Sequence, residues 1–187
     1  MRLFTLEHSK AAYQADFALY GLAVVALAAF LWRAGPRGQG LESVAFTVLG
    51  LASWTALEYA LHRFVLHGLA PFRHWHAEHH RRPTALICAP TILSGTLIAA
   101  LVFAPAWLMA GLWRGSALTL GVLIGYLAYA LTHHAMHHGR TGNTWLQQRK
   151  RWHALHHHAD GRTGYYGVTG AFWDRAMGTA RRAEAGA

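Results

Sequence analysis

The chain has 187 residues, 53% hydrophobic and 13% charged, with a formal net charge of +9. The length suits one domain, and the composition departs from that of soluble proteins in the direction of the membrane. Long uncharged stretches set aside a nucleic-acid partner despite the basic balance, and the lone Cys88 excludes an intrachain disulfide or a cysteine-rich zinc site and reads as a small buried apolar residue.

In chain order, the first sixteen residues carry Glu7, Lys10 and Asp16 and lack the apolar centre of a cleavable signal. Four apolar segments follow, at 17–33, 44–61, 86–113 and 117–132, each near the length a membrane-spanning helix requires. Trp32, Tyr126 and Tyr129 occupy belt positions at segment ends. Pro90 and Pro105 predict that the third segment is kinked or begins as a shallow interfacial stretch. Residues 62–85 and 133–180 are the polar remainder, a cap on the four rods. Within it, Asn143–His158 reads as an amphipathic interfacial helix, and Gly161, Gly164, Gly167 and Gly170 mark a turn-rich stretch. The end after Thr179 is polar and expected to fray. The expected fold is therefore an all-α integral membrane protein forming a single domain.

With four spans, the N-terminus, the 62–85 loop and the C-terminal region share one side. That side carries fourteen of the seventeen Lys and Arg, the other only Arg33, Arg37 and Arg114. The excess of cations places the shared side, with both termini, in the cytoplasm. Every histidine falls on the same side, although histidine took no part in the assignment.

The histidines carry the chemistry. Of fifteen, only His8 and His74 stand apart from four tight groups: His62/His67, His76/His79/His80, His133/His134/His137/His138 and His153/His156/His157/His158. Neutral imidazole is the commonest protein metal ligand. Helical residues four apart share a face, so His76 with His80, His133 with His137, or His153 with His157 can grip one ion. His79 and His156 are offset from those pairs and can serve a neighbouring ion. His62 and His67, five apart, share no α-helical face; they align if the helix unwinds near His67, where Gly68 and Pro71 signal an ending. An all-imidazole set suits Fe, Zn, Cu or Ni, and the ligand count favours two ions over one closed structural zinc. The pair His134/His138 has the same spacing as His133/His137 and offers an alternative register.

These residues resemble the fatty acid hydroxylase/sterol desaturase superfamily of membrane di-metal oxygenases. The resemblance rests on Glu58-Tyr59-x-x-His62-Arg63-Phe64-x-x-His67, His76-x-x-His79-His80, His133-x-x-x-His137, His153-x-x-His156-His157, Gly164-Tyr165-Tyr166-Gly167 and Trp173-Asp174-Arg175-x-x-Gly178-Thr179, in register over residues 54–179. It implies two five-imidazole sets: His62, His67, His76, His80 and His156 for one ion, and His79, His133, His137, His153 and His157 for the other. It also implies two Fe ions in turnover (with Zn able to occupy the sites in purified protein), O2 as co-substrate, and hydroxylation of an unactivated C–H bond of a lipid. The His-Ala-Glu-His-His-Arg-Arg-Pro run at 76–83 is most similar to the fatty acid 2-hydroxylase branch. A lipid desaturase or carotenoid hydroxylase would use the same ligands, but the acidic stretch and His-Asp pair of carotenoid hydroxylases are missing. No cytochrome b5-like domain is read in this sequence, which implies a separate electron donor such as a ferredoxin, a cytochrome b5-like protein or a reductase. A metal-binding membrane protein without turnover is the non-enzymatic alternative.

Two carboxylates are candidates for supporting roles. Glu58, four residues before His62 near a membrane end, is expected to orient a ligand imidazole, and Asp174 either bonds an imidazole or caps a turn. His134, His138 and His158 are spare in the family register. Arg63, Arg73, Arg81 and Arg82 read as cytoplasmic anchors, and Trp75, Trp145 and Trp152 as interfacial ones.

Overall fold

A computed structural model describes residues 7–140, 143–158 and 164–180. Gly161 of the turn-rich stretch and the polar end beyond residue 180 lie outside the described residues. The described chain is helical, with no strand beyond an isolated antiparallel bridge between Glu7 and Ile87. Helices are α1 (Lys10–Ala34), α2 (Gly40–Ala60, running into a π-helical turn at Leu61–Leu66), α3 (Phe72–Arg81), α4 (Thr91–Ile98), α5 (Ala104–Ala110), α6 (Leu112–His138), α7 (Thr144–His158) and α8 (Phe172–Ala176). A π-helical stretch, Ala99–Phe103, joins α4 to α5.

Four of these stretches are long and apolar enough to cross a membrane: Lys10–Ala34, Gly40–Leu66, Thr91–Ala110 and Leu112–His138. The all-α membrane architecture expected from the sequence is thus present. Many of its large apolar side chains face outward, with Trp32, Leu108 and Met109 each more than 80% exposed, as suits helices whose solvent is lipid. The third span is shorter than its apolar run. Residues 86–90 stay outside it because Pro90 holds an extended conformation before the first turn. It stops at Gly111, which takes the left-handed region (φ +84°) that favours glycine. Pro105 follows directly on the π-helical stretch Ala99–Phe103, where the helical hydrogen-bond ladder is already out of α register.

The chain forms two compact units, residues 1–54 with 86–127 and residues 55–85 with 128–187. In the first, α2 and α6 approach backbone to backbone. A Cβ on Gly50 would lie 2.0 Å from the Leu118 carbonyl oxygen, and one on Gly121 2.0 Å from that of Thr47. Small residues allow such contact, which supplies packing where lipid removes the hydrophobic drive. Polar pairs tie α1 to α4: Thr91 donates to Asp16 (2.5 Å), and Tyr20 shares a hydrogen bond with Ser94 (2.7 Å).

The second unit contains the end of α2 with its π turn, α3, the end of α6, α7 and α8. Asn143 caps α7 by accepting from the Leu146 N–H (2.7 Å), and Lys150 donates to the Gly139 carbonyl just beyond α6 (2.5 Å). Trp173 of α8 donates from its indole to Thr55 (3.1 Å).

Candidate metal centre

All the histidine groups of the cap lie in the second unit. His62 and His67 are brought together by a wider turn, and not by the unwinding that their spacing suggested. The His67 N–H bonds the His62 carbonyl in an i→i+5 register (3.2 Å), and the rings stand 5.2 Å apart. A π turn places residues five apart on one face, and such turns recur at functional sites. The helix does end where Gly68 and Pro71 signalled, since the π turn closes at Leu66.

Two clusters of ring nitrogens result. His62, His67, His76, His80 and His156 each offer one nitrogen to a group whose atoms all lie within 4.8 Å of one another. His79, His133, His137 and His153 form a second such group. His157 stands beside both. Its ring is 4.5 Å from His153 and 5.1 Å from His79 and from His137, and it stacks on His80 at 4.0 Å. The register at the end of α6 follows from this placement: His133 and His137 enter the second group, while His134 and His138 stack on each other. His74 and His158 are exposed.

The spacing of the nitrogens fits cations. Nε2 of His62 lies 2.9 Å from Nε2 of His76, which is 3.1 Å from Nε2 of His80; the His67–His156 pair is 3.1 Å apart and the His137–His153 pair 2.8 Å. Two imidazoles at right angles around an ion, each at about 2.1 Å, stand about 3.0 Å apart. In and beside the second group, both ring nitrogens of His79 and the Nε2 atoms of His133 and His157 are buried without a hydrogen-bond partner. Buried polar atoms are seldom left so. An ion taking one nitrogen from each ring would account for three of the four.

Protonation agrees with this reading. Burial pushes His67 and His80 down to about 4 and His79 to about 3, with neighbouring imidazoles adding to the effect on His67 and His79. His157 falls to about 2, and His76, His153 and His156 lie well below the usual value for the same causes. These rings are neutral at neutral pH, so each keeps a lone pair to give.

Two backbone carbonyls, which nothing in the side-chain pattern announced, orient two of the rings. His62 donates from Nδ1 to the Tyr166 carbonyl (2.5 Å), and His156 from Nδ1 to that of Gly164 (2.8 Å). A carbonyl can only accept, so both rings carry their proton on Nδ1 and turn the Nε2 lone pair inward. The loop that supplies them is held by the two candidate carboxylates. Asp174, fully buried, accepts from the Tyr166 and Gly167 N–H groups (2.8 Å each) and from the Thr179 hydroxyl (2.6 Å). Glu58, 3% exposed, accepts from the N–H groups of Val168 (2.5 Å) and Thr169 (2.8 Å) and from the Thr169 hydroxyl (2.5 Å). Asp174 therefore bonds a turn, one of its two expected roles, and reaches an imidazole only through the backbone. Tyr165 takes a left-handed conformation (φ 56°) and is stabilised there by its ring stacking on Trp152 (5.3 Å, 6°). The turn-rich glycines and the Gly164-Tyr165-Tyr166-Gly167 motif marked this loop in the sequence, without showing which of its carbonyls would accept.

Membrane-length helices carrying paired histidine clusters able to hold metal define a class of integral membrane proteins with a histidine-built metal centre. Comparison with known proteins narrows the class. A fatty acid hydroxylase family model matches residues 47–179, and the chain belongs to that family. It is 34% identical over 155 residues to the ceramide very long chain fatty acid hydroxylase scs7 of Schizosaccharomyces pombe, covering 73% of this chain and 42% of that one. It is 33% identical to the dihydroceramide fatty acyl 2-hydroxylase FAH2 of Arabidopsis thaliana, covering 70% of this chain and 58% of the relative. The chain thus spans about half the length of these curated relatives. A solved structure of full-length scs7p, in which only the hydroxylase domain is visible, superposes with a TM-score of 0.75 at 25% identity, covering 90% of this chain and 66% of that one. The resemblance read from the histidine motifs, including the 2-hydroxylase branch, is borne out.

Proposed function

We propose that this protein is an O2-dependent, non-haem di-iron hydroxylase of a lipid acyl chain. The observation that carries the reading is the convergence of buried, neutral imidazoles into two adjacent groups spaced for cations. The family membership and the names of the relatives, ceramide and fatty acyl 2-hydroxylases, support a lipid substrate. One ion would be held by His62, His67, His76, His80 and His156, the other by His79, His133, His137 and His153 with His157 as fifth ligand. When bound, a pair of irons supplies the means to reduce O2 and oxidise an unactivated C–H bond. The balanced reaction is R–H + O2 + 2 electrons + 2 protons → R–OH + H2O, with the electrons drawn from a separate donor.

The protein's own part is placement. The π turn and helices α3, α6 and α7 aim the lone pairs inward; the Gly164 and Tyr166 carbonyls hold the protons of His156 and His62 outward. Burial of His62, His76, His79, His153 and His156 excludes water from the reacting region. Glu58 and Asp174 keep the 164–169 loop in place. The cation distribution supports an orientation with both termini and the metal side in the cytoplasm. The single domain of the family, on this reading, comprises four spans and one metal-binding cap.

Lipid mass spectrometry of cells with and without the gene tests the reaction. Hydroxylation adds one oxygen to a lipid; removal of two hydrogens instead would identify a desaturase; an unchanged lipid profile would favour metal binding without turnover.

A further inference from the structure

Asp174 lies opposite His62 across a single peptide unit. The Gly167 N–H donates to Asp174 Oδ2 (2.8 Å), and the carbonyl of that same unit, Tyr166 O, accepts from His62 Nδ1 (2.5 Å). The N–H and C=O of a trans peptide point in opposite directions, so the three groups form a line: carboxylate, peptide, imidazole. A carboxylate at the N–H end polarises the amide and strengthens its oxygen as an acceptor. A stronger acceptor on Nδ1 makes Nε2 a better donor to a metal, as a direct carboxylate–histidine–metal arrangement does. The geometry admits no bulkier residue at the joint. A Cβ on Gly167 would lie 1.9 Å from the Gly170 carbonyl oxygen.

The arrangement is one-sided. His62 and His156, both in the five-imidazole group, have Nδ1 on carbonyls of this loop. Among the described residues, no ring of His79, His133, His137, His153 or His157 has a carbonyl or carboxylate partner, and His79 has none on either nitrogen.

Resting on the metal-centre reading above, we infer that Asp174 is a positioning residue acting on His62 through the Tyr166–Gly167 peptide, and that it makes the two ions inequivalent. The ion of the His62 group is held firmly with fixed ligand tautomers, and the ion of the His79 group is the labile one.

The test uses the full chain in detergent, loaded with 57Fe(II). Wild type should show two ferrous Mössbauer components of equal weight and release its ions to a chelator in two phases, the slow one from the His62 group. Asp174→Asn should alter one component and speed the slow phase about 10-fold, leaving the fast phase unchanged. Thr179→Val removes a donor to Asp174, and with it a long hydroxyl contact to Tyr59 (3.4 Å), but no hydrogen bond of the 164–169 backbone. It should shift the same component, by less, and stands in if the first variant does not fold. A merely structural role would disturb both ions together, and that result, or identical release of both ions in wild type, overturns the inference. A wild-type chain that binds no pair of irons would instead bring down the metal-centre reading itself.

Discussion

His80 and His157 lie ring on ring, their centroids 4.0 Å apart and their planes 6° from parallel. His80 belongs to one nitrogen group, while His157 stands at the edge of the other with Nε2 buried and unpartnered. The stack is one place where the two groups meet, so on the proposed reading His157 would have two separable duties, a nitrogen for the second ion and a flat face for His80. His157→Phe keeps the face and removes the nitrogen. It should lose one of the two ions and retain the other. His157→Ala removes both and should also loosen the retained ion, by about 10-fold in chelator-release rate. Equal metal retention in the two variants would show that the stack has no part in holding His80.

The proposed orientation makes Arg37, exposed between α1 and α2, a residue of the far side. Arg37→Ala should leave hydroxylation within about 2-fold of wild type, because surface substitutions remote from a site rarely matter. A large loss of product, measured by lipid mass spectrometry at matched expression, would contradict the topology.

The α2–α6 contact predicts a stability defect without a chemical one. A methyl at Gly121 meets the Thr47 carbonyl oxygen and the Leu51 nitrogen, backbone atoms that cannot swing aside. Gly121→Ala should therefore destabilise the protein by about 1–3 kcal/mol, seen as a lower melting temperature in detergent. An unchanged melting temperature would mean that the helices separate there without cost.

The sequence disclosed the parts of the site that repeat with helical period. Spacings of four marked His76/His80 and His133/His137, and the offset of His79 from His76 and His80 anticipated its place in the other group. What stayed hidden was set by backbone. The π turn that aligns His62 with His67 differs from an α turn by one residue's register, which no side chain records. The acceptors for His62 and His156 are carbonyls, which every residue possesses. Glu58 was legible as a costly carboxylate near a membrane end, but its partners, Val168 and Thr169, lie more than a hundred positions on, beyond the reach of any local pattern. The third span read too long because apolar character continues across Pro90 and Gly111, where helix does not.

The most direct test of the account is the metal content of protein purified without oxygen. Elemental analysis should find about two irons per chain in wild type and about one in His79→Ala, with hydroxylated lipid product lost in the variant. A single zinc held equally by both proteins, with no oxygen-dependent lipid product from either, would contradict it.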